Sequence, residues 1–93
     1  MKEKVRAHVI VSGKVQGVYF RQDAVKQAQK FGVSGWIRNL DNGKVEAIFE
    51  GEKDKVGEII DWAKKGSFFA KVLDLKVNWQ EYKGEFNNFE IKH

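Results

Sequence analysis

One segment combines two glycines with an arginine, between an apolar strand and an amphipathic helix. It reads Gly13-Lys14-Val15-Gln16-Gly17-Val18-Tyr19-Phe20-Arg21, and Arg21 opens the helix. A guanidinium is always charged, and it donates two parallel hydrogen bonds to a suitable anion. Loop N–H groups that converge at a helix N-terminus, beside one fixed cation, form a receptor for a phosphate-sized anion. The residue types and their spacing therefore predict an anion site in this loop.

Two simpler explanations of this segment stay open at the level of sequence. The glycines at 13 and 17 also suit a tight strand-to-helix connection. Arg21 could form a surface salt bridge, for example with Asp23 or with a distant acid. However, an exposed arginine in the first helical turn opposes the helix dipole by about 0.3–1 kcal/mol, and a bound anion reverses that sign. The helix position therefore favours anion binding for Arg21.

Asn39 is the second residue whose type and position suggest chemistry. It stands before Asp41-Asn42-Gly43, which already supplies the residues that a hairpin turn needs. The amide of Asn39 offers a donor and an acceptor, which suits it to hold a water molecule at a defined angle. Arg38 alternates with it along the strand and is expected to point away. His8 is expected on the outer face of its strand rather than as a catalytic base.

The elements that must position these residues follow from hydrophobic periodicity. It predicts a strand over 5–11, a helix over 21 to about 32, an extended segment over 33–40, a strand over 45–50, a helix over roughly 52–65, a strand over 73–79 and a short final strand with Phe89 and Ile91. With right-handed crossovers, the order β-α-β-β-α-β predicts an α+β, ferredoxin-like split β-α-β sandwich. Its mostly antiparallel sheet has two helices on one face, and the place of the final strand stays undecided. This order puts Arg21 and Asn39 at the same edge of the sheet.

Composition narrows the possible functions. The 93 residues are expected to form one domain over 1–93, and the absence of cysteine excludes disulfides, thiolate metal sites and a cysteine nucleophile. The two histidines have no metal-ligand spacing, and no apolar run is long enough for a signal peptide or a membrane span. We therefore expect a soluble, cytoplasmic monomer without metal, cofactor or membrane partner. The net charge of +4 is spread along the chain, so charge alone is weak support for nucleic-acid binding.

Two segments resemble motifs of the acylphosphatase family. Residues 13–21 are similar to the family pattern G-x-V-Q-G-V-x-F-R, and residues 35–46 (Gly-Trp-Ile-Arg-Asn-Leu-Asp-Asn-Gly-Lys-Val-Glu) are similar to G-W-V-x-N-x-x-D/N-G-x-V-E. Gly51 matches a further glycine at the end of that hairpin. The resemblance implies a small metal-free hydrolase that cleaves the carboxyl–phosphate bond of acyl phosphates, with inorganic phosphate as product and competitive ligand.

The resemblance also implies roles for individual residues. Asn39 would orient the attacking water, and the phosphoryl group would be held by the loop backbone and the arginine, that is, by Gln16, Gly17, Val18, Tyr19, Phe20 and Arg21. The chain departs from the family where many members have Gly-Pro, because Gly66-Ser67 stands there and the sequence has no proline. This departure puts the rigidity of that loop in question. Phe68 and Phe69 in the same loop are expected to be core or lid residues.

Two alternatives of another class remain: a non-catalytic anion-binding module and an RNA-binding module of the same fold. An RNA-binding sheet of this kind presents aromatic residues on its open face. Here the third strand instead places Glu46 and Glu50 at alternate positions, which disfavours RNA.

Overall fold

The helices and strands follow the predicted order in a computed structural model that describes residues 2–93. In chain order they are β1 (Lys4–Lys14), α1 (Phe20–Phe31), β2 (Ser34–Asn39), β3 (Val45–Glu52), α2 (Lys53–Lys65), β4 (Lys71–Gln80) and β5 (Phe89–Ile91). Gly32 ends α1 as its C-cap, and Glu52 is the N-cap of α2. Both helices thus lie within one residue of their predicted bounds. Neither is long and apolar enough to cross a membrane.

The strands form one five-stranded sheet in the order β4-β1-β3-β2-β5. The β1–β3, β1–β4 and β2–β3 pairs are antiparallel, and β2 pairs in parallel with β5. The final strand, which the sequence left unplaced, therefore lies at the edge opposite β4. The predicted ferredoxin-like sandwich is confirmed, with β3 between the parallel strands β1 and β2.

The core lies between the helices and one face of the sheet. Alternate residues of β1, β2 and β3 point into it because side chains of a strand alternate between the two faces. The helices contribute residues at i, i+3, i+4 and i+7 spacing. Buried members from these elements include Ala7, Val9, Val11, Ala24, Ala28, Ile37, Val45, Ala47, Phe49, Val56, Ile59, Ile60 and Ala63.

Gly13 lies where β4 approaches β1 closely. It belongs to β1, which extends to Lys14, and not to the loop that follows. The register between β1 and β4 shifts between Ser12 and Gly13. A Cβ atom on Gly13 would collide with the carbonyl oxygen of Lys71 on β4. The close approach of β4 and the φ angle of 120° at Gly13 therefore both require a glycine here.

Residues 81–88 cross the open face of the sheet from β4 to β5. The crossing is necessary because β4 and β5 lie at opposite edges. Arg6 on this face forms ion pairs with buried Glu50 at 3.1 Å and with Glu85 at 2.7 Å. The backbone N–H of Lys83 also donates to Glu50 Oε2 at 2.9 Å. These contacts hold the crossing segment over the end of the sheet where β1 begins.

Candidate active site

The loop between β1 and α1 (residues 15–19, the β1–α1 loop) has a backbone suited to anions. Val15 and Val18 are buried and anchor it to the core. Gly17 and Tyr19 have positive φ angles of 74° and 65°, and Tyr19 is the single non-glycine residue of 2–93 with positive φ. Left-handed residues therefore alternate with Val18, and such alternation turns successive N–H groups toward one side. Holding a tyrosine in this conformation costs on the order of 1 kcal/mol, which the surrounding packing must supply.

Helix α1 begins at this loop with its first N–H groups uncapped by any side chain. Tyr19 is the N-cap and makes no side-chain cap hydrogen bond. The first turn of a helix leaves N–H groups without intrahelical partners, and they favour negative charge. They border a cavity of about 230 Å³ lined by Val15, Gly17, Tyr19, Phe20, Arg21 and Gln22. A water molecule in the liquid occupies about 30 Å³, so a phosphate-sized anion and a water fit together here.

Arg21 lies in the wall of this cavity. Within residues 2–93 its guanidinium forms no ion pair, neither with Asp23 nor with a more distant acid. The alternative of a surface salt bridge is therefore wrong for the described part of the chain. Arg21 places a positive charge at the end of α1 where the helix dipole favours a negative ligand.

The side chain of Gln16 connects the β1–α1 loop to the hairpin between β2 and β3. Its Nε2 donates to the carbonyl oxygens of Leu40, at 2.8 Å, and Lys44, at 2.9 Å. Leu40 and Lys44 close the hairpin turn through a backbone hydrogen bond of 2.8 Å. Gln16 therefore ties the β1–α1 loop to Leu40, the residue next to Asn39. Because the side-chain nitrogen of Gln16 is used for these bonds, its backbone N–H is the donor that remains for an anion.

Asn39 ends β2 and pairs with Val45 of β3. It is two residues beyond buried Ile37, so its side chain lies on the helix-covered face of the sheet. Its Oδ1 atom is buried and has no hydrogen-bond partner among residues 2–93. A buried amide oxygen without a partner is costly, so its presence calls for an explanation such as a role in the reaction. A water that donates to Oδ1 would be oriented beside the loop.

Ser67 supplies a constraint on the loop that sequence reasoning missed. It lies between α2 and β4 (residues 66–70, the α2–β4 loop), and its buried Oγ donates to the carbonyl oxygen of Val18 at 2.6 Å. The peptide bond between Val18 and Tyr19 is trans, so the Tyr19 N–H points away from Ser67. Ser67 thus fixes the direction of one loop N–H. A proline, which the resemblance leads one to expect here, could not donate this bond.

Phe68 and Phe69 are exposed, so of their two expected roles, core or lid, the core role is wrong. They stand at the tip of the α2–β4 loop, which the Ala70 N–H closes by donating to the Ser67 carbonyl at 3.0 Å. A pair of bulky apolar residues in sequence usually indicates burial. Here both aromatic residues lie in a short turn and remain exposed.

The remaining polar candidates lie on the open face, away from the loop. Glu46 accepts hydrogen bonds from His8 Nε2 and from Arg38 Nε, both at 2.7 Å. Burial by itself would raise the pKa of Glu46. The hydrogen bonds from His8 and Arg38, with the Coulombic attraction of both groups, outweigh it and lower that pKa below its ordinary value. His8 and Arg38 therefore serve this cluster, as the sequence predicted when it placed both away from the site. No three His, Cys, Asp or Glu side chains within residues 2–93 are grouped so that they could hold a metal ion.

The fold is α+β and ferredoxin-like, and it carries a candidate anion site at the start of α1. The family model described as acylphosphatase matches residues 7–91, and the chain belongs to the acylphosphatase family. The acylphosphatase of Pyrobaculum calidifontis is 57% identical over 90 residues, which make up 96% of this chain and 82% of that relative. The acylphosphatase of an Anaeromyxobacter species is 46% identical over the full length of both chains.

A solved structure agrees with these sequence relatives. The crystal structure of acylphosphatase from Bacillus subtilis is similar with a TM-score of 0.92 and 34% sequence identity, covering 96% of this chain and 99% of that one. Together the comparisons confirm the predicted family and an enzyme with acylphosphatase activity. They do not favour the alternative of a non-catalytic anion- or RNA-binding module.

Proposed function

We propose that this acylphosphatase hydrolyses the carboxyl–phosphate bond of acyl phosphates by direct attack of water on phosphorus. The observation that supports this most strongly is the combination of an anion cavity, lined by Arg21, with the unpartnered Oδ1 of Asn39. The Gln16 side chain joins the two parts by bonding to the turn next to Asn39. One part would hold the phosphoryl group, and the other would orient the water.

In this proposal the phosphoryl oxygens accept hydrogen bonds from the backbone N–H groups of residues 16–20 and from the guanidinium of Arg21. These donors are held by the fold before the substrate arrives, so they need no reorganisation as charge develops in the transition state. A single preorganised donor of this kind is worth about 2.7–4 kcal/mol of barrier. Phosphoryl transfer depends mainly on such positioning and charge stabilisation.

The water would donate one hydrogen bond to Asn39 Oδ1 and direct an oxygen lone pair at phosphorus. The new P–O bond forms as the bond to the acyl oxygen breaks, and the carboxylate leaves with the bonding electron pair. One proton of the water stays on the incoming oxygen, and the other passes to a phosphoryl oxygen of the substrate. A carboxylate is a weak base and departs without a proton, so no general acid is required.

Inorganic phosphate would then occupy the same cavity as product and competitive ligand. It presents the same oxygens to the loop and to Arg21, but it lacks the acyl substituent. The loop, Arg21 and Asn39 of a single chain would be sufficient for this mechanism, and we propose a monomer as the active unit. Because arginine and backbone N–H groups supply the positive charge, activity would be independent of added Mg²⁺.

The direct test is the hydrolysis of benzoyl phosphate, followed as released inorganic phosphate with and without a chelator. We expect turnover far above the uncatalysed rate, unchanged by the chelator and inhibited competitively by inorganic phosphate. Absence of turnover would contradict the proposed activity. Restoration by Mg²⁺ after chelation would contradict the metal-free mechanism.

A further inference from the structure

Three exposed aromatic side chains, Tyr19, Phe68 and Phe69, lie together beside the anion cavity. Their exposed fractions are 63%, 93% and 62%. The rings of Tyr19 and Phe69 have centroids 6.4 Å apart, and Phe68 meets Phe69 edge-on at 5.1 Å. We call these three residues the aromatic rim. Clustered apolar groups on a surface are characteristic of binding sites, because leaving them in water is unfavourable.

Contacts with the β1–α1 loop hold the aromatic rim in place. Tyr19 is part of that loop and lines the cavity together with Arg21. Phe68 and Phe69 follow Ser67, whose Oγ donates to the Val18 carbonyl at 2.6 Å. The same buried hydrogen bond therefore sets the position of one loop N–H and of the two phenylalanines.

The rim and Asn39 lie on opposite sides of the β1–α1 loop. In the sheet, β1 has β3 on one side and β4 on the other. Gln16 bonds to Leu40 in the β2–β3 hairpin, whereas Val18 bonds to Ser67 in the loop that leads into β4. In phosphoryl transfer the attacking and leaving oxygens are roughly in line through phosphorus. A water held at Asn39 therefore directs the leaving acyl group toward the aromatic rim.

The chemistry of the rim fits an apolar acyl group on an anionic substrate. The segment 66–71 contains no acidic residue and ends in Lys71. Aromatic faces bind apolar and aromatic groups, and each ring covered by a ligand is removed from water.

We propose that the aromatic rim binds the acyl group, so that the enzyme prefers acyl phosphates with an aromatic or long apolar acyl group over acetyl phosphate. This inference rests on the proposed function, because it assumes that the phosphoryl group occupies the cavity. Phe69 is the residue that determines specificity, since it links Phe68 to Tyr19. Apolar pockets commonly discriminate between substrates by about 10- to 200-fold.

The test compares kcat/KM for benzoyl phosphate and acetyl phosphate in the wild type and in three variants. We expect the wild type to prefer benzoyl phosphate and Phe69→Ala to reduce the benzoyl-to-acetyl ratio about tenfold, equivalent to ~1.4 kcal/mol. Phe69→Leu keeps apolar area and should retain more of the preference. Trp79→Ala is the matched control, because Trp79 is a half-exposed aromatic residue near the opposite end of β4. It should leave the ratio as in the wild type.

The inhibition constant of inorganic phosphate distinguishes a loss of acyl-group binding from a structural disturbance of the β1–α1 loop. Phosphate has no acyl group, so it should inhibit Phe69→Ala as it inhibits the wild type. An equal loss of kcat/KM for both substrates, together with weaker inhibition by phosphate, would overturn the proposal, because it would show that Phe69 only supports the loop. An unchanged ratio would also overturn it, as would a dimer that Phe69→Ala converts to monomers, because a second copy would then cover the rim. If the wild type hydrolyses neither substrate, the proposed function fails as well.

Discussion

Gln16 Nε2 donates a hydrogen bond of 2.8 Å to the carbonyl oxygen of Leu40, and this bond joins the two halves of the candidate site. One half is the β1–α1 loop with Arg21, and the other is the end of β2 with Asn39. The two halves come from separate elements, so their relative position depends on contacts of this kind. A second bond from the same nitrogen to Lys44, at 2.9 Å, fixes the direction of the side chain.

Gln16→Ala should lower kcat/KM for benzoyl phosphate by about tenfold, because misplacing a reacting group by a fraction of an ångström is costly. It should also reduce the free energy of unfolding by about 1–3 kcal/mol for two lost hydrogen bonds. Steady-state kinetics and denaturant titration would measure both effects. Gln29→Ala, at an exposed position of α1, is the control. An unchanged kcat/KM in Gln16→Ala would show that this bond does not align the site.

Arg21→Ala should reduce kcat/KM by about 10²–10³-fold and abolish inhibition by inorganic phosphate, because it removes the one side-chain cation of the cavity wall. Far-UV circular dichroism should show an intact fold. Arg38→Ala is the matched control, since Arg38 lies on the open face and pairs with Glu46. If Arg21→Ala keeps more than about a tenth of the activity, its loss is below ~1.4 kcal/mol and the electrostatic role is wrong.

Asn39→Ala should lower kcat by about a hundredfold or more while leaving the inhibition constant of phosphate nearly unchanged. The reason is that Oδ1 orients the water and makes no contact with the phosphoryl group in the proposed mechanism. Asn78→Ala, on the exposed strand β4, provides a control for a surface asparagine. A parallel loss of kcat and phosphate affinity would instead assign Asn39 to phosphate binding.

Much of the fold is predictable because its signals are local. Alternation from Val5 to Val11 and the helical spacing of Val56, Ile59, Ile60 and Ala63 each indicate an element without reference to the rest of the chain. β5 has only three residues, so its position depends on pairing with β2 and on the long crossing of residues 81–88. Such pairing leaves no periodic pattern in a segment this short.

Some features of the candidate site are likewise indicated by local sequence features, whereas others depend on contacts between residues that are far apart in the chain. Arg21 and Asn39 are the candidates that the sequence itself indicates, because residue type, position in an element and family resemblance agree on them. The bond from Ser67 to Val18 joins residues 49 positions apart, and a lone serine in a loop gives no sign of its partner. The close approach of β4 at Gly13 is likewise not predictable, because a glycine that admits a neighbouring strand looks in sequence like one that shapes a loop.

Stability should fall in acid through Glu46, whose pKa is held below its ordinary value by His8 and Arg38. A lowered pKa stabilises the folded state above the ordinary pKa of a glutamate, and that stabilisation is lost as the pH falls through the folded-state value. Glu46→Gln should therefore cost about 1.5–3 kcal/mol at neutral pH and progressively less in acid.

Denaturant titrations at neutral and acidic pH would measure this change in the free energy of unfolding. Glu58→Gln is the control, because Glu58 forms an exposed pair with Lys55 that contributes little. A constant difference between wild type and Glu46→Gln at all pH values would contradict a stabilising role for the Glu46 charge.

The most direct test of the mechanism is hydrolysis of benzoyl phosphate in ¹⁸O-labelled water, with mass spectrometry of both products. Attack of an Asn39-oriented water on phosphorus predicts that enzymatic turnover places the label in inorganic phosphate and leaves benzoate unlabelled. Label in benzoate would show attack at the acyl carbon, and it would contradict the assignment of Arg21 and the β1–α1 loop to the phosphoryl group under attack.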